Sequence, residues 1–393
     1  MARRFRATAA LTSGVAWLLA IGLLGGSARG QESGLLASLT NNLDLPSLTN
    51  DLNIRLWNAT LDLRGTIGYK DNVALANTNR QGSPLWDSGA DLIVFRLPTG
   101  PWTLSLFASA DDTRYFGAHA EPSEQLVIAA VQAKRTLPQD WSSSFAVNYF
   151  FQNQIIDLPP SQTNQAPVSL VRGNNFTGRW MARKDFTTAW AQLELTGGRE
   201  LMAAPLDSFW QVGPRLDLGC RYGPGSDLRL NYQWNYTMFD TRQQVSSQGY
   251  AIAGTPLRFS SQTVELNWHH AWDNSSHWHT FVTAGYELND DNGSGYFNYS
   301  QYRLSPKIEY RAATWKITGF VRGGYYDYPV QPISPGSSTL REKAYITAGF
   351  HAEKQVLKSL KIFADYSYDR SLSDLDTDTY YNNTVKLGVD WQF

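Results

Sequence analysis

The chain has 393 residues, 18% of them charged and 13% aromatic, with 14 Trp and 20 Tyr, an aromatic load high and a charge low for a water-soluble protein. A mean hydropathy of −0.36, and no run beyond residue 30 near the roughly 18 apolar residues of a spanning helix, exclude a helical membrane protein. The formal net charge of −1 becomes −5 when residues 1–30, with four arginines and no acid, are set aside; that balance gives no reason to expect nucleic acid as a partner.

In chain order, Arg3, Arg4 and Arg6 precede the apolar stretch VAWLLAIGLL and the small-residue segment GGSARG. This is the layout of an export signal, with cleavage expected after Gly30. The apolar run is short for an anchor helix, and no Cys follows it as in a lipoprotein signal. Residues 31–53 form a polar, Leu-containing segment, expected either to stay in the periplasm or to tuck into a lumen. Cys220 is the only cysteine, which excludes an internal disulfide.

From residue 54 onward apolar and polar residues alternate. In LDLRGTIGY, residues Leu61, Leu63, Ile67 and Tyr69 fall on one side, and Asp62, Arg64 and Thr66 on the other. DLRLNYQWNYTMF sets Leu228, Leu230, Tyr232, Trp234, Tyr236 and Met238 against Asp227, Arg229, Asn231, Gln233, Asn235 and Thr237. Period-2 segments of about ten residues are the signature of transmembrane strands, and about sixteen of them can be counted. Short connections near 98–100, 137–140, 184–185, 223–226, 273–276, 312–313 and 357–360 alternate with longer ones. The longer ones lie near 70–87, 111–122, 153–168, 200–207, 241–258, 290–297, 328–340 and 372–381. The pattern predicts an all-β fold: one closed antiparallel transmembrane barrel over 54–393, with short periplasmic turns and longer extracellular loops. Backbone groups in hydrocarbon must pair within the protein, so Thr384–Phe393 is expected to pair with Thr60–Tyr69.

The chain ends TVKLGVDWQF. Val385, Leu387, Val389, Trp391 and Phe393 share one face of a strand, while Lys386, Asp390 and Gln392 share the other. This ending resembles the C-terminal signal of Gram-negative outer-membrane β-barrel proteins. The resemblance implies that those five residues are read by the barrel-assembly machinery, that the protein sits in outer-membrane lipid of a bacterium, and that a homo-oligomer is among its states. GYKDNVALA, residues 68–76, also resembles the first strand of barrels that export polysaccharide or surface proteins. Those often carry a periplasmic helical-repeat domain, for which residues 31–53 are far too short.

Three chemistries compete for the site. His269, His270, His277 and His279 cluster around one short turn. Imidazole is a common metal ligand, but His269 and His270 must face opposite ways, and the neighbouring Trp268, Trp272 and Trp278 suit an aromatic girdle. No metal and no cofactor is expected. A Ser–His hydrolase acting on lipid would need a base within reach of a hydroxyl, with a third group orienting it. His270 with Ser275 or Ser276 is the candidate, without an evident orienting group, so the chain is not expected to be an enzyme.

The polar face supplies the remaining reading, a charged aqueous lumen passing ions or small polar solutes. Its pore-lining candidates are Arg64, Arg179, Glu194, Arg215, Asp217, Arg229, Glu265, Arg303, Lys307, Glu309, Arg311, Lys316, Arg322, Lys343, Glu353 and Asp365. The basic residues concentrated over 303–343 hint at anionic solutes, and loops 153–168 and 241–258 are the candidates for an inward constriction. Mutual pairing of the same charges in a closed structural barrel is the plainer alternative. The function expected is a porin-like passive channel, with an export barrel and a lipid hydrolase as alternatives and a soluble lectin-like β-protein as the outside one.

Overall fold

Alternation along the chain is realised as one ring of strands. The computed structural model describes residues 56–97, 100–118, 122–157, 168–273, 275–334 and 337–393. The export signal, the segment 31–53 and the body of the 153–168 loop lie outside the described residues. Sixteen strands follow in order: β1 Trp57–Lys70, β2 Ser83–Arg96, β3 Trp102–Tyr115, β4 Ser123–Leu137, β5 Trp141–Asp157, β6 Val168–Asp185, β7 Ala189–Met202 and β8 Phe209–Gly223. Then come β9 Ser226–Val245, β10 Ala251–Ala271, β11 Trp278–Asp291, β12 Tyr299–Arg311, β13 Trp315–Pro332, β14 Leu340–Leu357, β15 Leu360–Ser373 and β16 Tyr380–Gln392.

Each strand pairs antiparallel with its sequence neighbours, and β1 pairs with β16, so the sheet closes into a barrel. The expected seam is present: Leu63 lies opposite Trp391 and Tyr69 opposite Val385. Beyond them the Phe393 N–H donates to the Leu61 carbonyl at 2.8 Å. Closure leaves no sheet edge unpaired, which is the condition for burying a sheet in lipid.

One face of every strand is apolar and exposed. Leu63, Ile67, Trp180, Leu195, Leu230, Leu304, Phe350 and Leu387 all stand outward. In water such a continuous apolar belt would be an aggregation surface; around a closed barrel it is the face that meets hydrocarbon. The alternate side chains point into the barrel.

The connections sort as the sequence predicts, with one correction. At one end, turns such as 138–140, 224–225 and 358–359 are tight. In the first of them Gln139 and Asp140 both adopt left-handed backbone conformations, with φ of 59° and 58°. At the other end the connections are longer. The stretch 241–258, however, is not a long loop. β9 runs on to Val245 and β10 starts at Ala251, so only 246–250 connects them. The two strands run on past the regular ladder with register shifts near Pro256, and Val245 and Leu257 are buried.

At the loop end, apolar groups fill part of the interior. Val73 and Leu75 from the β1–β2 loop pack with Leu85, Tyr115, Ala118, Ile155 and Tyr380. Across the ring, Phe209, Phe239, Val245, Leu257, Phe259 and Phe297 form a second cluster. The Asp291 carboxylate holds the β11–β12 loop over it, accepting from the backbone N–H of Gly293 at 2.7 Å, Gly295 at 3.0 Å and Phe297 at 2.8 Å.

Candidate functional site: the barrel lumen

Every one of the sixteen pore-lining candidates lies on the inward face, because strand register carries one parity around the whole ring. Asp62 faces Asp91 and Gln392, Arg215 faces Glu194 and Gln233, and Glu353 faces Lys316 and Phe363. The five residues of the C-terminal pattern, Val385 through Phe393, lie on the outer wall and are all exposed.

The inward charges are not equivalent. On β6–β11 most are buried among polar neighbours, Arg229 being an exception with its side chain 47% exposed. Arg215 and Asp217 pair at 2.8 Å with side chains 9% and 7% exposed. Arg179 and Glu194 are as deeply covered. Between them runs a network of amides and hydroxyls. The Asn175 amide donates to Glu200 at 2.6 Å, the Thr177 hydroxyl to Asn175 at 2.6 Å, and the Gln233 amide to Asn235 at 3.0 Å. Glu265 and Glu287 flank Arg303 at 3.6 and 3.9 Å.

On the arc from β12 through β16 to β3 several charges are half-exposed, although Asp87, Glu309, Lys343 and Asp369 are buried. Arg64 bonds to Asp111 and lies 3.8 Å from Asp91, with Arg64 and Asp111 side chains 32% and 27% exposed. Lys386 donates to Asp87 at 2.7 Å. His351 bridges Asp365 at 2.6 Å and Glu353 at 3.3 Å. Glu309 accepts from Lys307 at 3.5 Å and from Arg311. Arg322 bonds Ser305 at 3.0 Å through Nε, and no acid lies within ion-pair distance of it among the described residues.

A polar contact crosses the lumen. Asp157, at the end of β5, accepts from Lys343 on β14 and from the Tyr380 hydroxyl at 3.1 Å. These strands are not neighbours in the ring. Ile155, Ile156 and Asp157 are all buried although they alternate in parity, so the end of β5 has bent over the interior. Nearby, Arg341 bonds Asp378 in the β15–β16 loop. Burial lifts the Asp378 carboxyl above the ordinary carboxylate range, against the pull of Lys343 and Arg341.

Sequence reasoning missed several inward groups: Asp87, Asp91, Asp111, Lys386, His351 and Asp157. All but Asp157 sit on the polar parity of WDSGADL, FASADDTRY, AGFHAEK and TVKLG, so the period-2 signal was available. Asp157 lies on the apolar parity, and only the bend of β5 brings it inside.

The histidine cluster resolves into separate environments. His269 and His279 are inward and hydrogen-bond each other at 3.0 Å; His269 also bonds Asp227 at 3.1 Å, and His279 the Ser276 carbonyl at 2.7 Å. His277 lies 3.2 Å from Asp273 in the turn. Among the described residues no group of three His, Cys, Asp or Glu is arranged to hold a metal. His270 faces outward between Trp268 and Trp272, with Nδ1 at 3.1 Å from the Tyr222 hydroxyl and 3.4 Å from Ser226 Oγ. The candidate serines are elsewhere: Ser275 donates to Asp273, and the Ser276 N–H donates to the Asp273 carbonyl. No carboxylate or amide bonds His270 among the described residues.

The sequence GYKDNVALA has a structural account. The Asn72 side chain accepts from the Ala76 N–H and donates to the Ala76 and Tyr381 carbonyls. It folds the β1–β2 loop back on itself and delivers Val73 and Leu75 into the interior cluster.

No protein-family model and no curated protein matches the chain. Among solved structures it is similar to OccK8 (OprE) of Pseudomonas aeruginosa, at 10% identity and a TM-score of 0.47 over 86% of this chain and 98% of that one. OmpF of Salmonella typhi matches at 11% and 0.47 over 86% and 97%. OccAB3 of Acinetobacter baumannii matches at 11% and 0.46 over 86% and 99%. Likenesses this distant say nothing of solute or activity. The strands themselves decide the class. An even number of antiparallel strands in a closed ring, an apolar outer belt, tight turns at one end and longer loops at the other are the architecture of the bacterial outer membrane. The chain folds as a porin-like outer-membrane β-barrel of sixteen strands.

Proposed function

We propose that the protein is a passive channel for ions or small polar solutes, with its aqueous path along the arc from β12 through β16 to β3. The observation that carries this reading is the row of half-exposed charges there, Arg64 with Asp111, His351 with Asp365, and Lys386. Side chains that water reaches inside a closed barrel line a wet path. Sixteen strands give a bore that side chains alone do not fill. Rows of charge along such a path bias which ions pass. The Asp157–Lys343–Tyr380 contact is the narrowing, contributed by the end of β5 that leads into the 153–168 loop. Both signs of charge line the arc, so any preference for anions is mild and comes from the β12–β13 wall, where Arg322 has no acid within ion-pair distance among the described residues.

Single-channel conductance of the refolded chain in a planar bilayer tests the proposal. Stable unit steps support it, and ion reversal potentials then give the selectivity. A barrel with folded mobility in a heat-modifiable gel shift but no conductance overturns it.

A further inference from the structure

At the turn end of the lumen the strands β6–β10 enclose a cavity of about 430 Å³, lined by Arg183, Trp190, Arg221, Asp227, Arg229 and His269. It lies on the β6–β11 side of the barrel, away from the proposed path, and among the interactions described so far those of His269 with Asp227 and His279 touch it. We propose that it is a binding site for a small organic oxyanion, a phosphate ester or a carboxylate.

The cavity is built around an indole. Trp190 points inward and lies flat on Gly219: a Cβ on that glycine would fall 2.4 Å from Trp190 Cε2. Only a residue without a side chain lets the ring approach the wall so closely. The Arg183 guanidinium stands 4.1 Å from the centre of this ring, and that of Arg229 5.8 Å. Stacking on an aromatic face holds a guanidinium in place while leaving its N–H edge free to meet a planar oxyanion.

Carboxylates fix the same two arginines from their other sides. Arg183 donates to Asp185 at 2.7 Å, and Arg229 to Asp227 at 2.7 Å. Asp227 also bonds His269 at 3.1 Å. Arg221 is different. Its backbone N–H is bonded to the Thr188 carbonyl at 2.7 Å, but no carboxylate lies within ion-pair distance of its guanidinium among the described residues. Three guanidinium groups therefore face one cavity against two carboxylates. The surplus cation, Arg221, is exposed, and its forked donors match phosphate and carboxylate geometry. The volume falls within the usual range of small-molecule pockets.

The inference rests on the cavity and its charges, not on the channel reading, so a closed lumen would leave it standing. The test uses the full chain refolded in neutral-detergent micelles, titrated calorimetrically with inorganic phosphate and, separately, with citrate. Saturable binding of either supports the site, and which one saturates identifies the phosphate or carboxylate source. Arg221→Gln is expected to weaken that binding about tenfold or more, the scale of one charge-assisted hydrogen bond. Arg229→Gln provides a second variant should the first fail to fold. Lys354→Gln removes an outward cation stacked at 4.8 Å on Trp315 and leaves the binding unchanged. The inference is overturned if neither anion binds saturably to the folded chain, or if Arg221→Gln and Lys354→Gln bind alike. Conductance read on the same preparations keeps this failure separate from failure of the channel reading.

Discussion

The two halves of the lumen wall solve the problem of inward polar groups in opposite ways. On β6–β11 they cover one another: Arg215 with Asp217, Asn175 with Glu200, Gln233 with Asn235. On the β12–β3 arc more of them stay half in water, as Arg64, Asp111 and Lys386 do. The outer wall is alike around the whole ring, so lipid does not distinguish the halves. What differs is whether protein or solvent satisfies each charge. A buried pair depends on its partner, since removing one member strands the other in a poor dielectric. A half-wet pair can fall back on water, and it is free to act on passing ions.

The largest effect should come from breaking a covered pair. Arg215→Ala is expected to cost about 3–5 kcal/mol of folding free energy by stranding Asp217, read by urea unfolding in micelles through Trp fluorescence. Lys361→Ala on the wet arc, whose ammonium lies 3.8 Å from Glu353 with side chains 36% and 24% exposed, should cost no more than about 1 kcal/mol in the same assay. Equal costs would erase the distinction between the walls.

Next comes the polar contact that bridges the interior. Asp157→Asn combined with Lys343→Gln removes both charges at the narrowing, and should raise unit conductance while keeping the folded gel mobility. An unchanged step would place the narrowing elsewhere. Smaller again is a change of selectivity. Arg64→Gln with Lys386→Gln should move the reversal potential toward cations, by leaving Asp87, Asp91 and Asp111 without their cations, whereas Gln192→Ala on the covered wall should not move it.

The smallest effect lies off both walls. The Asp273 carboxylate in the β10–β11 turn accepts from Ser275 and from the backbone N–H groups of Trp278 and His277, which hold it well below the ordinary carboxylate range. A depressed folded-state value contributes stability that is present above about pH 4, the value of a free Asp. That contribution is lost as pH falls through the folded-state value. Asp273→Asn should therefore flatten the acid limb of the unfolding curve slightly and leave conductance as it is.

Most of the fold could be read in the sequence because the barrel repeats one local rule. Parity alone placed Arg64, Glu194, Lys307 and Glu353 inside and Leu387 outside, and the positions of LPQD and GPGS marked tight turns. The seam of β1 and β16 followed from the need to leave no edge. What parity could not show is where a strand stops obeying it. Ile155 and Asp157 sit on the outward phase yet end inside, because β5 bends over the lumen. The partners of Asp157 lie 186 residues away in the case of Lys343, and 223 in the case of Tyr380, beyond any local pattern. β9 and β10 likewise extended into 241–258, where a loop was expected, leaving only 246–250 to connect them. The division into covered and wet charges depends on how neighbouring strands' side chains overlap, which register determines and composition does not.

The seam also bears on how the molecule comes into being. Every other pairing joins strands adjacent in the chain, while Asp62 and Gln392 meet from about 330 residues apart. Closing so large a loop, rather than one of about ten residues, costs only about 3 kcal/mol of chain entropy, because that cost grows with the logarithm of length. The finished ring is therefore hardly penalised for its circularity. Its history is another matter: until β16 has been made and set in place, the other fifteen strands are a curved ribbon with two open borders. The final join is a search in time rather than a debt in energy, and the interval before it is when the unfinished ribbon is most open to pairing with a stranger.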